Sequence, residues 1–363
     1  MLKQQKIFFD FLRFCIGSAK EIPGSLKEVD WQELYAIAKK QALLGVLFHG
    51  IRQLPKQLAP EQKLLMQWMV MAEQIRKQNI RLFQDSVKVC QNFENEGFAN
   101  CILKGQGNAL LYPNPYMRTP GDIDIYLSSG RRKIMKYVDQ VCPNQVMRYH
   151  HVDFPVMKTA IEVHFTPSYM FCPIHNRRMQ KWFKEVMGEQ CNHLVSLPDG
   201  YGEIHVPQVS FNVIYILSHL YRHIFTEGIG LRQLLDYYYV LISDDLLLIR
   251  DRVQKELKHL GLWKFAQAVM FVMKVVFGLS ENRMIVPMDE KEGRFLLDEI
   301  MRGGNFGQYD DRMGNKGGES KIHRYFRMNL RNPRFVKHYP TEAVCEPIFR
   351  TWFAGWKFIN RIK

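Results

Sequence analysis

Two short stretches carry side chains that could do chemistry together. In "GDIDIYL", residues 121–127, Asp122 and Asp124 alternate with Ile123 and Ile125. In "AIEVHF", residues 160–165, Glu162 and His164 alternate with Ile161, Val163 and Phe165. Successive side chains of a strand point to opposite faces, so each stretch sets polar groups on one face and apolar groups on the other. Side by side, the two strands would bring three carboxylates together. Such carboxylates repel one another, and burying them uncompensated is costly. A hard divalent cation resolves the conflict, because Mg²⁺ takes carboxylate oxygens together with phosphate oxygens. Two ions about 3.5–4 Å apart activate an attacking oxygen and stabilise a leaving one, which is the chemistry of phosphoryl and nucleotidyl transfer. Asp122, Asp124 and Glu162 are therefore the candidate ligands of Mg²⁺, two ions per site, with Mn²⁺ as a substitute.

The elements that must position them read as follows. Residues 1–97 are mostly helical: Asp30 is a plausible N-cap for "WQELYAIAKK", and residues 61–95 hold a helical period without proline or glycine, up to Gly97. Residues 98–207 have α/β texture, with strands expected over 100–104, 122–127, 146–153 and 160–166. Helices are expected over 105–112 and from Ser129 to Val141. Residues 208–363 return to helical patterning, interrupted at 302–320 by the glycine-rich "RGGNFGQYDDRMGNKGGES", read as a flexible loop or lid. No internal repeat is found. The fold class expected is α+β, a small mixed sheet flanked by N- and C-terminal helical regions.

The order strand, "KG" turn, helix, then "DID" on a second strand and "EVH" on a later one is similar to the polymerase-β-like nucleotidyltransferase superfamily. More narrowly, "LKGQGNALLYPNPYMRTPGDIDIYL" (103–127) resembles an uncharacterised bacterial nucleotidyltransferase family. "VDWQELYAIAKKQALLGVLFHGI" and "HLYRHIFTEGIGLRQLLDYYYVL" look like further family features, so the resemblance touches most of residues 30–240. It implies transfer of a nucleoside monophosphate from an NTP to an acceptor hydroxyl, on a small molecule, a protein or an RNA, with release of pyrophosphate. It also implies that Asp122 and Asp124 hold the metals, and that Glu162 completes the set and takes the acceptor's proton. Gly105 would let the backbone approach the phosphates, with Lys104 beside it. One departure stands out: the superfamily usually has Gly-Ser or Gly-Gly at this turn, closer to the acidic pair. Here Gly105-Gln106 lies seventeen residues before Asp122, so Lys104 or Arg118 would replace the serine hydroxyl.

Further candidates lie outside these motifs. Arg118 suits a phosphate, and His164 shares the Glu162 face. Arg232 and Asp236, four apart on a helix, could bind substrate or pair with each other. His219 and His223 have zinc-like spacing but no intervening glutamate, and read as core or rim histidines. Cys172, His175, Cys191 and His193 make a C-x-x-H…C-x-H pattern whose second pair is tight for a zinc knuckle.

Composition narrows the class. The 363 residues are 47% hydrophobic and 13% aromatic, enough for a packed core, which excludes a disordered chain. Formal charge is +14, and residues 301–363 carry 13 Lys and Arg against 5 Asp and Glu. The tail "PIFRTWFAGWKFINRIK" could stack on bases, touch a membrane or dock on its own domain, the last being preferred. The competing function is a nucleotide- or RNA-binding module with a dead site, using this tail. Seven scattered cysteines do not suggest a disulfide framework, and the N-terminus reads as an amphipathic helix rather than a signal peptide. The run "FAQAVMFVMKVVFGL" carries Lys274 and falls short of the ~20 residues of a membrane span. A cytoplasmic protein without a transmembrane segment is expected, with acceptor and oligomeric state left open.

Overall fold

The computed structural model describes residues 2–313 and 332–359. The N-terminal region holds α1 (Lys3–Cys15), α2 (Trp31–Lys40) and α3 (Leu44–Ile51). α1 buries Ile7, Phe8, Phe11 and Leu12 along one side, as an amphipathic helix should. The Asp30 side chain accepts from the N–H groups of Gln32 and Glu33, the capping its position predicts. α4 (Gln62–Asn95) runs uninterrupted, and its buried stripe includes Leu64, Trp68, Ala72, Ile75, Asn79 and Leu82 at helical spacing. Asn79 is the polar member of that stripe. Its Nδ2 donates to the carbonyl oxygens of Tyr116 and Arg118 at 2.9 and 2.8 Å, tying the approach to the aspartate strand onto α4.

Four strands form the central sheet: β1 (Asn100–Ile102), β2 (Ile123–Leu127), β3 (His151–Asp153) and β4 (Ile161–His164). Their order is β1-β2-β4-β3, with β2 and β4 parallel and both outer pairs antiparallel. The sheet is therefore small and mixed, as expected. Its apolar face, Ile123, Ile125, Val152, Ile161 and Val163, shares a core with Phe83 and Phe93 of α4 and with Ile134 and Val138 of α6 (Arg131–Val141), α5 being the short Gln106–Ala109. Two expectations are trimmed. The helix expected over 105–112 ends at Ala109, because the N–H groups of Leu111 and Tyr112 turn back three residues and Pro113 cannot continue the ladder. The strand expected over 146–153 shrinks to β3, because Arg148 N–H bonds the His151 carbonyl and closes a tight turn.

After the sheet come α7 (Pro173–Gln190), the hairpin β5 (Leu194–Ser196) and β6 (Glu203–His205), then α8 (Val209–Thr226) and α9 (Leu231–Leu241). The hairpin was not foreseen; three-residue strands are too short to show alternation. α10 (Arg250–His259), α11 (Trp263–Phe277), α12 (Glu290–Gly303) and α13 (Pro340–Ile359) follow. One large apolar core joins α1–α3 to α8–α12, and every residue of α9 is buried. The architecture is α+β, with helical regions before and after the sheet.

The glycine-rich stretch falls partly outside the described residues, at 314–320. Within 302–313, Gly304 and Gly307 serve close packing: Gly307 has φ +61°, and a Cβ there would meet the Glu227 carbonyl oxygen. The tail's α13 docks on the body, Phe349 stacking on Tyr169 with ring centroids 5.1 Å apart. Lys321 to Arg331 lie outside the described residues. None of the described helices is long and apolar enough to cross a membrane.

Candidate active site

In the parallel β2/β4 pair, Asp124 is the register partner of Glu162, and in β3/β4 the partner of Glu162 is Asp153. Alternation therefore gathers Asp124, Glu162, His164, His151 and Asp153 on the face away from the apolar core. Asp122, one residue before β2, joins them at the strand end. His164 Nε2 lies 3.0 Å from Asp124 Oδ1 and 3.6 Å from Glu162 Oε2, and His151 Nδ1 lies 3.2 Å from Glu162 Oε2. Donor atoms of Asp124, Glu162 and His164 are all within 4.8 Å of one another. The three carboxylates singled out by spacing do come together.

The turn after β1 faces them. Gly105 has φ +62°, a conformation that favours glycine, and it sets this turn next to the Asp122 carbonyl despite the sixteen residues between them. Lys104 Nζ lies 2.9 Å from Asp124 Oδ1 and 3.3 Å from His219 Nε2. Burial works against the charge on Asp124, which is 3% exposed, but Lys104 and then His164 hold its carboxyl well below the ordinary range. The negative charge of Asp124, followed by burial, pushes Asp122 up to about 6. Glu162 stays below its ordinary value against burial, through its hydrogen bond with His164. Burial holds the His150 and His219 imidazoles neutral, far below their usual values.

These groups line a cleft of about 500 Å³ between the sheet and α8. Arg222 and His223 of α8 and Arg350, Phe353 and Lys357 of α13 form its other walls. A side pocket of about 40 Å³ adjoins it, reached by Lys104, Gly105, Arg118, Arg232 and Asp236. Arg118, 4% exposed, is bound in bidentate fashion to Asp236, Nε to Oδ1 at 2.8 Å and Nη2 to Oδ2 at 2.7 Å. The third nitrogen, Nη1, has no hydrogen-bond partner among the described residues. The intrahelical Arg232–Asp236 pair suggested by spacing is thus replaced: Asp236 bonds Arg118 and the Tyr112 hydroxyl, while Arg232 Nη1 donates to the Thr119 carbonyl at 3.0 Å.

Neither zinc-like spacing assembles into the metal site it could have made. Cys172 and Cys191 flank the two ends of α7, whose 18 residues span roughly 27 Å, so the C-x-x-H and C-x-H pairs do not meet. His219 and His223 face the cleft bridged by Arg222 Nη2, at 3.3 and 3.0 Å, which makes them rim residues. Sequence reasoning missed His151 and Asp153, although their two-residue spacing inside an expected strand was the available signal. Arg222 gave none, since only tertiary packing brings it here, whereas Arg350, Phe353 and Lys357 belong to the tail whose docking on its own domain was the preferred reading.

The donor set fits a divalent cation. Among the described residues no Lys or Arg pairs with Asp122, and the ion partners of Glu162 are histidines alone, so negative charge converges at the cleft without full compensation. Carboxylate oxygens suit Mg²⁺, and the neighbouring imidazoles extend the set toward Mn²⁺. No curated protein and no solved structure matches this chain. A family model described as an uncharacterised nucleotidyltransferase matches residues 27–278, more than half of the 363 and the whole site from Lys104 to Asp236. The chain belongs to this uncharacterised nucleotidyltransferase family.

Proposed function

We propose that the cleft transfers a nucleoside monophosphate from an NTP to an acceptor hydroxyl, with Mg²⁺ and release of pyrophosphate. The observation that carries this reading is the register pairing of Asp124 with Glu162, which sets a third carboxylate beside the Asp122–Asp124 pair. It does so in a cleft whose volume suits a nucleotide. Asp122, Asp124 and Glu162 would hold the ions, and His164 fixes the orientation of Asp124. When bound, Mg²⁺, or Mn²⁺ in its place, would neutralise the triphosphate and the charge developing on the leaving group. Lys104 is in reach of the same phosphates. Arg118, with Nη1 uncommitted and held by Asp236, and Arg232 offer positive charge at the side pocket, while Gly105 admits a close backbone approach.

Glu162 takes the acceptor's proton as its oxygen attacks the α-phosphorus; the bond to the bridging oxygen breaks, and its electron pair leaves on pyrophosphate. The acceptor is a small molecule, a protein side chain or an RNA end. All seven cysteines are free thiols, which suits the reducing cytoplasm. The test is incubation with each labelled NTP and a lysate, followed by identification of the labelled species. Transfer that disappears in Asp124→Asn is expected. Nucleotide binding with no Asp124-dependent labelling would leave the dead-site binding module in its place.

A further inference from the structure

Outside the cleft's carboxylates, four side chains with metal-binding atoms meet where α13 crosses the start of α7. Cys172 precedes α7 and His175 sits in its first turn; Glu342 and Cys345, three apart on α13, share a face. Donor atoms of Cys172, His175 and Glu342 all lie within 4.8 Å of one another. His175 Nδ1 is 3.0 Å from Glu342 Oε1, and the Cys345 thiol lies close enough to Cys172 and Glu342 to feel the charge of both, which adds to burial in pushing it up. The other ring nitrogen is covered, since a Cβ on Gly261 would lie 2.5 Å from His175 Nε2. Nδ1 is therefore the atom turned into the cluster. Glu342 is 1% exposed, and among the described residues its ion partner is His175, with no Lys or Arg beside it.

We propose that Cys172, His175, Glu342 and Cys345 form a zinc site that clamps α13 onto the start of α7. The spacings C-x-x-H and E-x-x-C each deliver two ligands from one helical turn. Tetrahedral zinc with ligand bonds of ~2.0–2.3 Å needs donors about 3.5 Å apart, so the donors of Cys172, His175 and Glu342, now within 4.8 Å of one another, would close in on binding. Thiolate and imidazole donors select zinc over Mg²⁺. Binding releases two thiol protons to solvent. Two thiolates, one carboxylate and a neutral imidazole then surround Zn²⁺ with one net negative charge. The N–H groups of Phe171 and Cys172 already donate to Glu342 Oε2 at 2.7 and 3.1 Å and stabilise that charge. The clamp has a purpose in the fold: α13 carries Arg350 and Phe353 into the cleft wall. Glu342 and Cys345 lie beyond the segment that the family match covers.

The test uses the full chain, purified without a histidine tag under reducing conditions. Elemental analysis should find one zinc per chain that is lost in both Cys172→Ser and Cys345→Ser. Cobalt substitution should give a thiolate charge-transfer band, which the cysteine-free carboxylate site cannot produce. Should the variants fold poorly, the wild type still decides: chelation should lower its melting temperature, and zinc but not Mg²⁺ should restore it. A reduced wild-type chain that takes up no zinc, a cobalt form lacking the band, or a Cys345→Ser variant keeping both would overturn the site. So would a mass two hydrogens lighter with Cys172 and Cys345 joined as a disulfide.

Discussion

Lys104 Nζ lies 2.9 Å from Asp124 Oδ1, the same oxygen that receives His164 Nε2 at 3.0 Å. A fixed cation and an imidazole thus hold one oxygen of the central carboxylate. Lys104 competes with any metal for that carboxylate and would also serve the phosphates. Lys104→Met should therefore separate two readouts. Metal affinity without nucleotide should rise roughly three- to tenfold, because one competing charge has gone. Turnover should fall about 10²–10³-fold, the usual loss on removing one donor to developing charge. Calorimetry with Mn²⁺ and single-turnover kinetics measure the two; a drop in both would make Lys104 a structural partner of Asp124 alone.

Asp122 supplies a pH dependence. Its carboxyl rises from an ordinary 3.8 to about 6, chiefly through the charge on Asp124. A carboxyl raised in the folded state holds its proton more tightly folded than unfolded. It favours the folded state at low pH, and that contribution is lost as pH climbs from about 4 to 6. Metal-free Asp122→Asn should accordingly be more stable than wild type at pH 7, by about 1–2 kcal/mol, with the gap closing below pH 4. Metal must displace that proton, so wild-type metal affinity should fall roughly tenfold per pH unit below about 6. Turnover of Asp122→Asn should be lost even at saturating Mg²⁺. Urea unfolding and Mn²⁺ titrations at several pH values test this, and an affinity flat from pH 5 to 7 would sink it.

The buried Arg118–Asp236 pair fixes the approach to β2 from α9, and its two partners stand or fall together. Asp236→Asn leaves a desolvated guanidinium short of its counter-charge and should cost about 3–5 kcal/mol in urea unfolding. The double change Arg118→Met with Asp236→Leu should recover most of that stability, since neither charge is then stranded. If Nη1 serves the phosphates, the recovered double variant should still turn over poorly. A loss below about 1 kcal/mol in Asp236→Asn would mean that water reaches the pair.

What the sequence could reveal follows the range of each interaction. The alternation that sorts Asp122 and Asp124 from Ile123 and Ile125 repeats every two residues and is visible in any short window. The pairing of Asp124 with Glu162 is a register across a crossover containing α6 and β3, and periodicity cannot specify it. Arg118 was legible as a cation, but its partner stands on α9, and nothing local distinguishes Asp236 from a solvated acid. Cys172 and His175 were legible as possible metal ligands, and the length of α7, which no local pattern reports, is what separates them from Cys191 and His193. The third strand was legible but its bounds were not, because "YHHVD" holds a turn and three strand residues, too few for a clear period.

The basic C-terminal region decides between a small acceptor and a polyanion. Three of its six described Lys and Arg side chains pair with carboxylates. Arg312 pairs with Glu299 and Asp310, Arg334 with Glu299, and Arg350 with Glu346 at 3.3 Å, while Arg350 and Lys357 also face the cleft. Removing the tail before Lys321 would be a poor test, because Phe335, Tyr339 and Ala343 belong to the main core. Substitution serves better: Arg350→Gln with Lys357→Gln in one variant, and glutamine at Lys321, Arg324, Arg327 and Arg331 in another. Single-stranded binding loses about 0.7 in log–log slope per phosphate neutralised. Two cleft contacts would thus weaken oligonucleotide binding only about sevenfold between 50 and 200 mM salt, against several hundredfold for six. The shallow response is expected, with oligonucleotide competing poorly against NTP. A steep slope that flattens in either variant while the fold persists would instead make an RNA end the first choice of acceptor.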